Sequence, residues 1–395
     1  MLLPYFEMHF MTTRNNCSAD LILPLPAQPG TALADVDTPS LLLDLDAFER
    51  NLDRMQARAN RAGVRLRPHA KAHKCPDIAR AQVKRGAVGI CCQKASEALP
   101  FVRAGIQDIH ISNELAGPAK ARLLATIARH ARVSVCVDDA RQVPVLADAA
   151  RQADTCMTVF VEIDVGQGRC GVSDAEAALR LVEQIARHSG LRFGGLQAYH
   201  GGAQHRRARS ERRDESARAA ERTGAVITRL RADGVHCDVV TGGGTGSVEF
   251  DLESGVYTEI QPGSYVFMDG DYGRNEWDDN ANFEQSLFIA TRVMSVAART
   301  RVVVDAGLKS MAVDSGLPGV RETANAVAPL RYVAANDEHG IIEASDAAAL
   351  PGLGAQLLLV PGHCDPTLNL YDEIIGMRGQ TVECLWPVAA RGLSR

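Results

Sequence analysis

The eight residues RPHAKAHK, Arg67 to Lys74, carry five basic or imidazole side chains. They follow an apolar alternation that reads as the end of a buried strand. Such a cluster is either a solvated basic turn or a nucleophilic amine whose neighbours hold an anion. Lys71 is the candidate nucleophile, flanked by Arg67, His69, His73 and Lys74. Neighbouring cations disfavour a protonated ammonium, so a lowered pKa is expected at Lys71. A second stretch, TGGGTGS from Thr241 to Ser247, lets the backbone approach an anion closely. Its N–H groups and the hydroxyls of Thr245 and Ser247 are the expected donors. No GK[ST] follows it and it lacks GxGxxG spacing, so neither a Walker loop nor a dinucleotide fold is indicated.

The elements that must position these residues alternate in type. Between residues 64 and 268, eight β-rich runs (64–71, 87–93, 108–115, 133–139, 157–165, 192–201, 236–245 and 257–268) are separated mostly by Ala-rich amphipathic stretches. One such stretch, DESARAAERTGAVITRLRADG, ends at Gly234, a helix stop. Eight strands and intervening helices predict a parallel (β/α)8 TIM barrel, with a doubly wound open sheet as the alternative. The link 246–256 is too short for a full crossover helix. Active sites of such barrels lie at the C-terminal strand ends. Lys71 and His73 end the first run, Gln93 the second, and Arg169 follows the fifth. Tyr199, His200 and His205 follow the sixth, the glycine run follows the seventh, and Tyr265 ends the eighth. A lysine across a barrel from a phosphate-binding loop suggests pyridoxal 5'-phosphate, with the lysine as its Schiff-base partner.

After residue 280 the segments FEQSLFIATRVMSVAA, RTRVVVDAG, GIIEAS, AQLLLVPGHC and QTVECLWPVAARG are strand-like, with few helical signals. The expected organisation is an N-terminal extension (1–35), a strand at 36–46 joining a β domain, a barrel (47–275) and the mostly-β domain itself (276–395). The chain has 395 residues, 46% hydrophobic and 23% charged, with a formal net charge of −5, which argues against bulk nucleic-acid binding. No apolar run approaches the ~20 residues that span a bilayer. The first twenty residues lack the pattern of a signal peptide, and Met11 is an alternative start. Ten cysteines without a CxxC pattern read as reduced thiols of a cytoplasmic protein.

Taken together, RPHAKAHK, the RCG of VGQGRCGV, TGGGTG, GSYVFMDGDYGR and PGHCDPTLNLYD resemble the D-threonine aldolase and D-serine dehydratase-like enzymes, which share the fold-type III architecture of alanine racemase. EIDVGQGRCGV, VDSGLP, DEHGIIE, LVPGHCDPT and VECLWPVAARG are similar to the branch of 3-hydroxy-D-aspartate aldolase and threo-3-hydroxyaspartate dehydratase. The resemblance implies a barrel carrying the cofactor and a β domain carrying a metal. It makes Lys71 the Schiff-base lysine and Arg169 the contact to the pyridine nitrogen, a cation that keeps this nitrogen unprotonated. Gly243, Gly244, Thr245 and Tyr265 become phosphate anchors, Tyr199 a residue near the imine, Gln93 a residue beside the ring, and His205 a candidate base. His363 and Asp365 match the two protein ligands of a divalent ion. If AQLLLV is a strand, ligands at i and i+2 share one face as it ends, and Cys364 between them points away. One imidazole and one carboxylate suit Mn²⁺ or Mg²⁺, with Co²⁺ or Zn²⁺ as alternatives.

The implied activity is retro-aldol cleavage of 3-hydroxy-D-aspartate to glycine and glyoxylate by a homodimer. Dehydration of the same substrate to oxaloacetate and ammonia, or cleavage of D-threonine, are the alternatives. A non-catalytic pyridoxal-phosphate carrier would need Lys71 but not the His363–Asp365 pair. Arg274, His69 and Lys309 are candidates for binding a distal substrate carboxylate.

Overall fold

The computed structural model describes residues 23–278, 282–321 and 328–395; most of the N-terminal extension, Met11 included, lies outside them. The first strand, β1 (Ser40–Asp44), runs into a helix at Leu45–Ala62. Asp44 caps that helix by accepting the Ala47 N–H at 3.1 Å, and Gly63 closes it in the left-handed region at φ 66°. Phe48, Leu52, Met55 and Ala59 recur on one face, and all are buried. Each of the larger three contributes roughly 1.5–3 kcal/mol by leaving water. The same helix docks the first barrel strand.

Eight parallel strands follow: β2 (Arg65–Leu66), β3 (Ile90–Cys92), β4 (Asp108–Glu114), β5 (Arg132–Val137), β6 (Met157–Glu162), β7 (Leu191–Ala198), β8 (Val239–Gly242) and β9 (Glu259–Ile260). Their order is β2-β9-β8-β7-β6-β5-β4-β3. A parallel bridge between His69 and Cys91, with the Cys91 N–H on the Pro68 carbonyl at 2.8 Å, joins the two ends into a closed barrel. This closure excludes the open-sheet alternative. Strands such as β5 and β6 read as almost continuous apolar runs because both of their faces are covered. The helix Arg209–Ala232 ends just before Gly234, whose φ is 75°. The link between β8 and β9 holds only a six-residue helix, Val248–Glu253.

A second sheet contains β1 and eight later strands: β10 (Leu287–Ser295), β11 (Arg301–Val304), β12 (Gly319–Val320), β13 (Leu330–Ala335), β14 (Gly340–Ala344), β15 (Gln356–Val360), β16 (Glu373–Arg378) and β17 (Thr381–Pro387). β1 lies between β10 and β16, antiparallel to the first and parallel to the second. Its side chains alternate: Leu41 and Leu43 join the large core shared with the barrel, while Leu42 joins a smaller cluster with Phe288, Ile375 and Met377. Residues ahead of β1 lie on the last hairpin, with the Gly30 N–H on the Val382 carbonyl and Ala32 bridging Thr381. Among the described residues, no helix is long and apolar enough to cross a membrane.

Candidate active site

A cleft of about 740 Å³, counting the space that opens to solvent, lies where the C-terminal strand ends meet the loops of the second sheet. Lys71, Gln93, Arg169, Tyr199, His205, Gly244, Thr245, His363 and Asp365 all line it. Residues from the barrel and from the far end of the chain thus share one cavity.

Lys71 sits in a one-turn helix, Ala70–Ala72, directly after β2. Its ammonium lies 3.9 Å from the Asp365 carboxylate, and its side chain keeps 40% of its surface open. The expected crowd of cations around it is absent. Arg67 turns into the barrel and pairs with Glu259 at 2.8 Å and Asp108 at 2.7 Å. Lys74 pairs with Glu97 at 2.9 Å. His73 is fully buried beside Phe101, and burial pushes its pKa down to about 4. Burial likewise holds His69 well below the usual imidazole range. Burial also works to lower the Lys71 pKa, but Tyr199 and Asp365 more than offset it, and the ammonium is held above its ordinary range. The basic run of the sequence is therefore four paired or neutral side chains and one lysine facing the cavity.

Below Lys71 the floor is a belt of neutral polar groups. His69 Nε2 meets Gln93 Oε1 at 3.1 Å and Ser112 Oγ at 2.9 Å. Gln197 and Gln261 bond each other, and Gln197 also meets His110. On one wall, the Arg169 guanidinium stacks over the Tyr199 ring, 5.4 Å from its centroid. Behind Arg169, 3.8 Å away, lies Glu162, whose carboxyl is pushed up to about 9 by burial and by its neighbour Glu114. Glu162 is thus pushed toward its neutral form, which weakens its hold on the guanidinium. His200 does not reach the cavity: its Nδ1 accepts the Ala203 N–H at 3.1 Å.

The glycine run makes the opposite wall, but only part of it faces the cleft. Gly244 and Thr245 line it. Gly243 does not; it shapes the turn, with φ 68° and a backbone so close to Asp251 that a Cβ would come within 2.5 Å of the carboxylate. A Cβ on Gly244 would meet Gln204 at 2.5 Å. The Ser247 hydroxyl, expected as a phosphate donor, is committed inward, donating to Asp251 at 2.5 Å and accepting from Gln204 at 2.7 Å. Tyr265 is also corrected. Its ring is buried against Phe283 with its hydroxyl accepting from Gln82, and only its main chain approaches the loop, donating N–H to Thr245 Oγ1 at 3.1 Å.

His363 and Asp365 form the rim. They do not share a strand face as expected, because Pro361 and Gly362 end β15 at Val360. His363 is instead the N-cap of a short helix, Cys364–Leu368, with Asp365 in its first turn. Cys364 turns away into the interior, fully buried, and its N–H donates to Asp269 at 2.9 Å. His363 Nδ1 is held by Asp314 at 2.7 Å, which leaves Nε2 for an ion. Burial opposes a charge on His363, yet Asp365 and Asp314 raise its pKa. An imidazole oriented by one carboxylate beside a second is the donor chemistry of a divalent site. The cavity likewise fits pyridoxal phosphate: an accessible amine, a tight glycine turn that has no room for side chains at Gly243 and Gly244 and that presents Gly244 and Thr245 to the cleft, and a cationic wall. Sequence reasoning missed Asp314, Ser264, Tyr272 and Asp271 at this rim; the last three lie in GSYVFMDGDYGR, where no spacing rule ties them to the site.

Comparison with known proteins agrees with this architecture. The alanine racemase N-terminal domain model matches residues 43–271, and a serine dehydratase domain model matches residues 286–377. A D-threonine aldolase of Arthrobacter sp. is 56% identical over 375 residues, covering 95% of this chain and 98% of the relative. A 3-hydroxy-D-aspartate aldolase of Paracoccus denitrificans is 44% identical, covering 93% and 95%. The crystal structure of D-threonine aldolase from Filomicrobium marinum superposes with a TM-score of 0.91 at 49% identity, covering 94% of this chain and 100% of that one. The chain belongs to the fold-type III family of pyridoxal-phosphate enzymes that contains the D-threonine aldolases, the 3-hydroxy-D-aspartate aldolases and the D-serine dehydratase-like enzymes.

Proposed function

We propose that this protein is a pyridoxal-phosphate- and divalent-metal-dependent lyase that splits the Cα–Cβ bond of 3-hydroxy-D-amino acids, releasing glycine and an aldehyde. Lys71 is the lysine of the cavity wall and would hold the cofactor aldehyde, with Gly244 and Thr245 at its phosphate. Once bound, pyridoxal phosphate supplies the electron sink that makes Cα–Cβ cleavage accessible. Arg169, stacked on Tyr199, would supply the cation that disfavours a proton on the pyridine nitrogen and so limits racemisation. His363 Nε2 and Asp365 would hold Mn²⁺ or Mg²⁺, a Lewis acid for the substrate hydroxyl. His205 takes the hydroxyl proton. The observation that carries the reading is the meeting of Lys71 with the rim pair, 3.9 Å from Asp365.

Within this class, the lining favours a small uncharged substituent on Cβ, as in D-threonine, over the carboxylate of 3-hydroxy-D-aspartate. The three candidates for binding a distal carboxylate are spoken for. Arg274 is held by Asp271 and the Ser315 carbonyl, and Lys309 pairs with Glu338 away from the cavity. His69 sits in the neutral floor. The Paracoccus relative keeps 3-hydroxy-D-aspartate as the second reading. Product analysis on both substrates is the test. Glycine with acetaldehyde from D-threonine, at a higher kcat/KM than glycine with glyoxylate, is expected; oxaloacetate and ammonia as main products would replace cleavage with dehydration.

A further inference from the structure

His205 enters the cavity from a short helix, Gly202–His205, with its ring 5.8 Å from that of Tyr272. Half of its side chain is open, and one of its two nitrogens has a partner: Nδ1 lies 2.5 Å from Asp271 Oδ2. Asp271 is almost completely buried, at 5% exposure. Its other oxygen, Oδ1, receives two guanidiniums, from Arg207 and, at 2.9 Å, from Arg274. The Asp271 main chain is tied as firmly. Its N–H donates to the Gly362 carbonyl at 3.0 Å, and Gly270 N–H donates to the Pro361 carbonyl at 2.9 Å, immediately ahead of His363. One residue thus touches the candidate base through its side chain and the metal-ligand loop through its backbone.

We propose that Asp271 is the positioning residue of the reaction: it fixes His205 as the Nδ1–H tautomer, with Nε2 presented to the cavity in register with His363 and Asp365. This rests on the reading of His205 as the base. The geometry decides between two roles for the carboxylate. A lone buried carboxylate would mainly strengthen the base by stabilising its charged form. Here two guanidiniums already balance Asp271, so its charge contributes little beyond them, and what remains is direction. An ionised carboxylate accepts only, so Nδ1 must be the protonated nitrogen and Nε2 carries the lone pair.

The same arrangement makes Asp271→Asn a sharp probe. Two guanidinium donors at the Oδ1 position demand an acceptor, so the amide oxygen must stay there. The amide nitrogen then occupies the Oδ2 position and donates to Nδ1, which forces the proton onto Nε2. The substitution is nearly isosteric and inverts the tautomer of the base. In the cofactor-loaded protein, Asp271→Asn should keep the visible imine absorbance and lower kcat about 10²–10⁴-fold, as loss of a general base does, with KM within about threefold. Nitrogen-15 spectra of histidine-labelled, metal-free, cofactor-loaded protein, assigned with His205→Gln, should show Nδ1–H at His205 in the wild type and Nε2–H in the variant. An Nε2–H wild type overturns the proposal without any variant having to fold. So does an Asp271→Asn protein of undiminished kcat when His205→Gln is inactive. A fully active His205→Gln instead sinks the reading of His205 as the base, and the proposal with it.

Discussion

At the floor of the cavity, polar side chains stand on strand ends and bond one another: His69 to Gln93 and Ser112, Gln197 to Gln261 and His110. At the rim, His363 and Asp365 stand on a turn held by Asp314, Asp269 and the backbone of residues 270 and 271. The floor draws its geometry from a closed sheet, whose strands cannot shift singly. The rim draws it from a few side-chain-to-main-chain ties between segments distant in sequence. Barrel and rim should therefore fail differently. Damage to Lys71 removes the covalent chemistry, damage to the rim removes proton and hydroxyl handling, and damage to the floor removes stability.

The largest effect is expected at the junction of the two. Lys71→Ala should lose the imine absorbance and the activity together, because both depend on one amine; a variant that keeps the band and turns over would move the anchor to another lysine. Asp365→Ala should separate the regions most clearly. The absorbance stays, since the amine and the phosphate loop both remain in place although Lys71 loses its carboxylate neighbour, while cleavage falls by more than the 10–100-fold that loss of an outer-shell partner costs. Chelation of the wild type should mimic it, and Mn²⁺ or Mg²⁺ should restore the chelated wild type but not the variant. Full activity in chelated protein, shown metal-free by elemental analysis, would reduce the rim to an ordinary turn.

Acid should attack the barrel and not the rim. His73 and His110 are buried neutral, each with its pKa pushed down by burial to about 4. The unfolded chain takes up these protons near pH 6.5, and the folded one refuses them until about pH 4. Stability is therefore full above pH 6.5 and lost as pH falls toward 4, by about 3 kcal/mol per histidine. Denaturant midpoints should drop over that interval, and His110→Phe should flatten the drop; a flat wild-type profile would refute the neutral floor. The smallest effect is expected at Asp314, which only orients His363. Asp314→Ala should weaken Mn²⁺ binding about 10–100-fold, measured by metal titration, with no change in imine absorbance.

The same contrast explains what could be read in advance. Apolar runs flanked by turn residues announced all eight barrel strands, and Lys71, Gln93, Arg169, Tyr199, His205, Gly244 and Thr245 fell on one cavity, while His73, His200, Gly243 and Tyr265 did not. The barrel positions its chemistry by strand order, which a single chain displays directly. β16 escaped, because Gly376 interrupts a six-residue run and its burial comes from β1, more than 300 positions earlier. Lys71's neighbours were visible as charges, but their partners Glu259, Asp108 and Glu97 were not, so the direction of its pKa was misjudged. The H-x-D pair was legible only through resemblance. The Pro361–Gly362 break, which replaces the strand with a helix start, was in plain view and argues against the strand face. Asp271 was out of reach, since nothing local to GDYG points to residue 205 or residue 362.

The position of β1 also sets an order of events during synthesis. Its partners are β10 and β16, which leave the ribosome some 240 and 330 residues later. The barrel can close while Leu41, Leu42 and Leu43 still lack both flanking strands, so the nascent chain carries an unpaired apolar strand through most of its translation. Such an edge is a template for pairing with another chain. A product that stops after the barrel should aggregate through this segment, and lysine in place of Leu42, which faces away from the barrel core, should keep it in solution. The last third of the chain thus protects β1 as well as carrying His363 and Asp365.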